Sequence, residues 1–183
     1  MKTKIINEYE IKQGANLEGC DLRYKDLRNA NLVDANLRGA DLRGANLMNA
    51  DLRNADLEEA NIADANFEGV DLRNANLVRA NLFNADLLGA NLFNADLRVA
   101  DLRGTCLEDA NLKETDLDFS CLCLWCGSLK ANFDDRQLIQ IAYHLVKAGL
   151  QSNNASSKIK SELSKIKDLA NKFHRINECG IIE

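Results

Sequence analysis

A large apolar residue stands at every fifth position from Leu17 to Leu122, 22 times in succession, with only Ile62 and Phe67 replacing leucine. The surrounding phrase is Ala-(Asp/Asn)-Leu-x-x, as in Ala40-Asp41-Leu42-Arg43-Gly44 and Ala45-Asn46-Leu47-Met48-Asn49. With the apolar centre as position i, Ala falls at i−2 and Asp or Asn at i−1. A helix cannot serve this pattern. A step of five turns an α-helix by about 140°, so the leucines would wander round it. In an extended backbone, i−2 and i share a face and i−1 points away. A uniform strand also fails, because five is odd and the next leucine would change face. Both conflicts vanish if each phrase is a short extended piece closed by a corner at i+1 and i+2. Gly39, Gly44, Gly69, Gly89, Gly104 and Asn29, Asn49, Asn54, Asn74, Asn84 and Asn94 occupy i+2, as turns prefer. A chain that corners every five residues in one sense winds into a solenoid.

Residues 15–122 resemble the pentapeptide repeat family on these phrases, over about three-fifths of the chain. The resemblance implies an all-β solenoid: a right-handed quadrilateral β-helix with four phrases per coil and the Leu and Ala columns stacked inside. At about 4.8 Å per coil, 22 phrases give a rod of roughly 26 Å. Each inward leucine should contribute about 1.5–3 kcal/mol by burial. The i−2 slot departs from Ala at Cys20, Lys25, Val70, Thr105, Thr115 and Ser120. Lys25 must keep its charge out of the interior, which predicts a local distortion in the first coil.

Beyond the repeat the pattern changes. Residues 1–14 are expected to cap the rod's start, with Tyr9-Glu10-Ile11 as a strand, because open solenoid ends expose apolar surface and unpaired edges. Residues 15–133 form the β-helix, although the register slips by one residue within Cys123–Lys130 before Ala131-Asn132-Phe133. Residues 134–183 read as a C-terminal α-helical pair. Leu138, Ile141, Ala142, Leu145 and Val146 follow an Asp134/Asp135 cap at helical spacing, and Ile159, Leu163, Ile166, Leu169, Ala170 and Phe173 follow Ser156. These helices either cap the last coil or join two copies as a homodimer.

The 183 residues carry no proline, which suits a backbone whose amides are committed to pairing between coils. The start of the chain lacks the apolar core of a signal peptide, and no stretch reaches membrane-spanning length. A cytoplasmic protein with six reduced cysteines is the expectation. Residues 1–127 hold 14 basic against 22 acidic side chains, net −8; residues 128–183 hold 9 against 6, net +3. No basic tract invites direct contact with nucleic acid.

Function must lie on outward positions. Arginine recurs at i+1 (Arg23, Arg28, Arg38, Arg43, Arg53, Arg73, Arg98, Arg103) beside the acidic i−1 residues, an arrangement typical of a solvated surface. One coil differs: Val78, Phe83, Leu88 and Phe93 occupy i+1 in four successive phrases, with Val99 next at i+2. They form either corner packing against neighbouring coils or a protein interface, with Phe83 and Phe93 as its anchors.

Cys20 fits the core. Cys106 and Cys126 stand twenty residues apart, hence stacked at a separation a disulfide tolerates if coils hold four phrases. With Cys121 and Cys123 beside Trp125 they could pair, bind a metal or stay idle; their spacing matches no zinc finger or ribbon. His144 and His174, the latter near Cys179, are isolated on predicted helices. No metal or cofactor is expected. No phosphate loop, nucleophile elbow or His-Glu-x-x-His motif occurs, and a filled rod offers no concavity for small-molecule chemistry, so no catalytic residue is assigned.

The expected function is therefore a non-enzymatic scaffold for an unidentified protein partner. The family resemblance supplies an alternative, mimicry of DNA that inhibits or protects DNA gyrase and confers quinolone tolerance. The i+1 arginines dilute the charge such mimicry needs, and the projecting loops of some gyrase-binding members would break the register. Ice binding would want outward threonine ladders, which are absent.

Overall fold

In the computed structural model, residues 4–6, 9–117 and 120–122 are described, together with residues 157, 160, 161 and 164. The chain separates into two compact units, Met1–Asn132 and Phe133–Glu183.

Every i−1 residue from Asn16 to Asp96 forms a parallel β-bridge to the residue twenty positions later. The series runs Asn16↔Asn36, Asp21↔Asp41, Asp26↔Asn46 and so on to Asp96↔Asp116. Four phrases therefore close one coil, as the family resemblance implied. The last described turn of the ladder widens into two short parallel strands, with Asp101–Leu102 opposite Cys121–Leu122.

Following one phrase through its hydrogen bonds shows why five residues suffice. The amide of Leu57 donates to Asn76 O in the next coil at 2.7 Å, and that of Asp56 donates to Ala35 O in the previous coil at 2.9 Å. The Glu59 amide reaches Val78 O at 2.9 Å, while Ala60 N closes the corner on Leu57 O at 3.0 Å. The fifth amide, that of Glu58, donates to the Asp56 Oδ1 at 3.0 Å. All five backbone donors are satisfied, as a partly buried chain requires. The same bond from the i+1 amide to the i−1 side-chain oxygen recurs in every described phrase from Asn16 to Asn111 except that of Cys106, which has no Oδ1. This is an Asx turn. It explains why Asp and Asn share the i−1 slot to the exclusion of Glu and Gln.

The corner itself demands a left-handed residue. From Gly14 to Glu114 every i+2 residue has φ between 55° and 74°, the requirement of a type II turn at its third position. Asn and Gly meet it cheaply. Val99, with φ 63°, is β-branched and does not. At Gly44 an added Cβ would stand 2.6 Å from the Tyr24 ring, so the glycine there also makes room for the aromatic lying over it from the coil before.

Inside, the centres from Leu17 to Leu117 are 0–3% exposed, including Ile62 and Phe67, and the alanines at i−2 are buried at 0–8%. Cys20 lies in the same small-residue column and is buried. Thr105 and Thr115 are buried too; their hydroxyls donate to Leu82 O and Leu92 O, each at 2.8 Å, so no polar group is stranded.

Lys25 is a correction. The bridge Asp26↔Asn46 persists around it, Lys25 N donates to Leu22 O at 3.2 Å, and Lys25 O accepts from Asn46 N at 2.9 Å. No distortion follows; the side chain is only half-buried while the backbone stays in register. A long aliphatic stem can fill the slot while its ammonium stays in water, which needs no change of backbone.

At the start, Tyr9–Ile11 is a strand and pairs antiparallel with Lys4–Ile6, matching Ile6 to Tyr9 and Lys4 to Ile11. Ile11 is buried and continues the core toward this hairpin. In the second unit, Ser157, Lys160, Ser161 and Ser164 are helical, three of them exposed and Lys160 half-buried. The remainder of the predicted helical pair, the register slip, Cys123, Trp125, Cys126, His144, His174 and Cys179 lie outside the described residues.

Candidate functional site

Four phrases per coil give the rod four faces, each bearing an i+1 column in which every member lies twenty residues from the next. The columns read Arg23, Arg43, Ala63, Phe83, Arg103; then Arg28, Met48, Glu68, Leu88, Glu108; then Val33, Arg53, Arg73, Phe93, Lys113; then Glu18, Arg38, Glu58, Val78, Arg98. Inward columns are almost all Leu and Ala, whereas outward columns mix charge and size, with Arg23/Arg43 and Arg53/Arg73 as repeated pairs.

Most arginines turn back on their own phrase. Arg23, Arg28, Arg43, Arg53, Arg73, Arg98 and Arg103 each grip the Asp two residues earlier through Nε and Nη2. Arg38 instead spans one coil to Glu58, at 2.7 Å. The bidentate bond from Arg43 is the main reason Asp41 sits below the usual carboxylate range; Arg53 does the same for Asp51, and Arg103 for Asp101. A carboxylate so held also keeps its Oδ1 on the i+1 amide. The arginines therefore brace the corners as much as they decorate the surface.

Val78, Phe83, Leu88 and Phe93 fall on four different faces of one coil. Phe83 is 41% exposed and the other three are half-buried. Half a coil separates Phe83 from Phe93, so they stand on opposite faces and no flat surface touches both. The Arg103 guanidinium lies over the Phe83 ring, 5.9 Å from its centroid. Val99, 50% exposed, adds an apolar corner. So does Tyr24, at 80% exposure, which sequence reading passed over because a lone tyrosine in a charged stretch gives no pattern.

Phe93 closes one end of a groove of about 310 Å³, lined by Val33, Arg53, Asn54, Arg73, Asn74 and itself. Its side wall is an amide ladder: Asn54 Nδ2 donates to Asp34 Oδ1 at 2.9 Å, Asn74 Nδ2 to Asn54 Oδ1 at 3.2 Å, and Asn94 Nδ2 to Asn74 Oδ1 at 2.9 Å. Sequence reading noted these asparagines only as turn formers. Writing the chain in rows of twenty would have shown the column.

Cys106 is half-exposed at the bridge to Asp86, and Cys121 lies opposite Asp101 on the neighbouring face. Among the described residues no three His, Cys, Asp or Glu side chains converge as metal ligands, and no helix is long and apolar enough to cross a membrane.

The sequence model for pentapeptide repeats matches residues 13–49, 50–89, 60–98 and 90–123, with eight copies. No curated protein matches the chain. Among solved structures it is similar to Rfr23, a pentapeptide repeat protein from the cyanobacterium Cyanothece 51142, with 33% identity, 66% of this chain and 89% of that chain covered, and a TM-score of 0.48. A pentapeptide repeat protein from Nostoc Pcc 7120, alr5209, gives 37% identity over 60% and 85% of the two chains, with a TM-score of 0.43. QnrB1, described as a plasmid-mediated fluoroquinolone resistance protein, gives 19% identity over 70% and 71%, with a TM-score of 0.42.

Proposed function

Because this chain belongs to the pentapeptide repeat family, we propose that it is a non-enzymatic, right-handed rod that acts in the cytoplasm as a scaffold for a protein partner. The observation that carries this reading is the apolar coil: four consecutive i+1 residues, Val78, Phe83, Leu88 and Phe93, are apolar, whereas Val33, Met48 and Ala63 stand singly among charged i+1 neighbours, and Phe83 stays 41% exposed. Large apolar groups left outside when the fold already buries a full complement of leucines favour a contact surface. Since Phe83 and Phe93 face opposite ways, the rod offers two stations, and a partner either grips two sides or each station takes its own. Neither a cofactor, a small-molecule substrate nor direct nucleic-acid contact enters this reading. The C-terminal helices are proposed to pair and to cap the rod or join two copies. Solution mass with and without residues 134–183 separates those roles.

The immobilised chain should recover a specific protein from cell extract, and Phe83→Asp or Phe93→Asp should each reduce that recovery. No enrichment over a scrambled-sequence control contradicts the scaffold.

A second reading, action on DNA gyrase by mimicry of DNA, draws on one face only. On the face of Leu27, Leu47, Phe67, Leu87 and Leu107 the outward columns carry Asp26, Glu68, Asp86, Glu108 and Asp109, and Arg28, paired with Asp26, is their single basic member. On this reading micromolar protein inhibits gyrase supercoiling; an unaffected enzyme removes it.

A further inference from the structure

We infer that the groove between Val33 and Phe93 binds an extended segment of the partner chain with the pattern apolar-x-(Asp/Glu)-x-apolar. This rests on the scaffold reading and names the chemistry that one station recognises. Arg53 and Arg73 each spend Nε and Nη2 on the Asp of their own phrase, at 2.7–2.9 Å for the shortest bonds. Their Nη1 groups make no hydrogen bond among the described residues. The two guanidiniums are neighbours in one column, Val33 to Lys113, which has no acidic member of its own; the acids beside it are their partners Asp51 and Asp71, and Asp34 on the amide ladder. Two unspent donors one coil apart suit a single carboxylate placed between them, and a charge-assisted pair is the strong form of such contact.

Spacing selects the rest of the ligand. At about 4.8 Å per coil, Arg53, Arg73 and Phe93 lie roughly 5, 10 and 14 Å along the axis from Val33. An extended peptide advances about 3.3 Å per residue and presents alternate side chains to one face. Its first, third and fifth residues then sit at about 0, 7 and 13 Å. The first meets Val33, the fifth meets the Phe93 ring, and the third falls midway between the guanidiniums. Asn54 and Asn74 each donate one Nδ2 hydrogen along the ladder and keep a second for a backbone carbonyl of the ligand. Apolar ends supply affinity, the central carboxylate fixes register, and the amide wall reads main chain.

The test is a titration of the isotope-labelled full chain with the probe acetyl-Leu-Ser-Glu-Ser-Leu-amide, followed by nuclear magnetic resonance. Saturable shifts are expected at the Nε–H of Arg53 and Arg73 and the side-chain amides of Asn54 and Asn74. A probe with Gln in place of Glu should bind at least tenfold more weakly, a comparison that leaves the protein untouched. The Arg53→Gln/Arg73→Gln variant should lose the response. No saturable shift, equal binding of the Gln probe, or shifts confined to another face would overturn the inference. A partner recovered from extract by the intact chain, and recovered equally by Arg53→Gln/Arg73→Gln, sinks the groove while sparing the scaffold. Failure of recovery by the intact chain sinks the scaffold instead.

Discussion

Leu57 and Glu58 are chain neighbours with opposite histories along the rod. Leu57 belongs to a column of Leu17, Leu37, Leu77, Leu97 and Leu117, every one at most 3% exposed. Glu58 belongs to a column reading Glu18, Arg38, Val78 and Arg98. Both amides are satisfied, Leu57 by a backbone carbonyl of the next coil and Glu58 by the Asp56 side chain. Only the side chains are held to different rules. Inside, a sealed cross-section admits only apolar centres, leucine almost throughout with Ile62 and Phe67 as the exceptions. At i−1, a backbone amide requires a short side-chain oxygen, and at i+2 the corner requires a left-handed residue. At i+1 nothing internal constrains the choice, so that column is where recognition can be written.

The largest way to break this contrast is Leu57→Asp, which buries a charge among leucines. It should leave the repeat unfolded at room temperature or cost at least about 4 kcal/mol in denaturant titration. Glu58→Gln, one residue on, should cost under about 1 kcal/mol. Equal effects would erase the distinction between inner and outer columns. Next in size is Asn66, outward by position but bound to the Glu68 amide at 2.9 Å. Asn66→Ala should cost about 1–2 kcal/mol because that amide loses its acceptor, whereas Asn66→Asp should be close to neutral. A neutral Ala variant would reduce the Asx turn to decoration. Smaller again, and of opposite sign, Val99→Asn should raise the melting temperature by a few degrees, relieving about 1 kcal/mol of strain at a left-handed β-branched residue. A lower melting temperature would mean the exposed valine is stabilised by contacts.

The smallest effect concerns charge. Asp41, Asp51 and Asp101 have folded pKa values lowered from the ordinary 3.8. A depressed carboxylate adds stability that is complete above its unfolded value and lost as pH falls through the folded one. Melting temperature should therefore be flat from pH 7 to about 5 and decline only below about 4. Decline already between pH 7 and 5 would show that these pairs are not the groups that titrate.

Much of the fold was legible because the repeat states its own geometry. The leucine column, the small residues beneath it and the turn at i+2 all follow from period, parity and the preference of Gly and Asn for positive φ. The number of phrases per coil did not follow, since any closed corner sequence satisfies a five-residue period; the family resemblance supplied it. The purpose of Asp and Asn at i−1 was also missed. Their shared feature is an oxygen two bonds from Cβ rather than a charge, and charge drew the eye. The Lys25 expectation failed because burial of the charge was inferred from the slot alone, whereas a lysine stem can occupy the slot half-buried with the backbone in register. The candidate site was least legible. Val33, Arg53, Arg73 and Phe93 are twenty residues apart, and nothing local to any one of them signals a groove.

Hydrogen exchange followed residue by residue through 36–95 tests the central claim most directly. Each phrase gives four amides backbone acceptors and leaves the i+1 amide on a side-chain oxygen, so exchange should repeat with period five and be fastest at i+1 positions such as Glu58 and Val78. A helical period near 3.6, or uniformly rapid exchange across those coils, would contradict it.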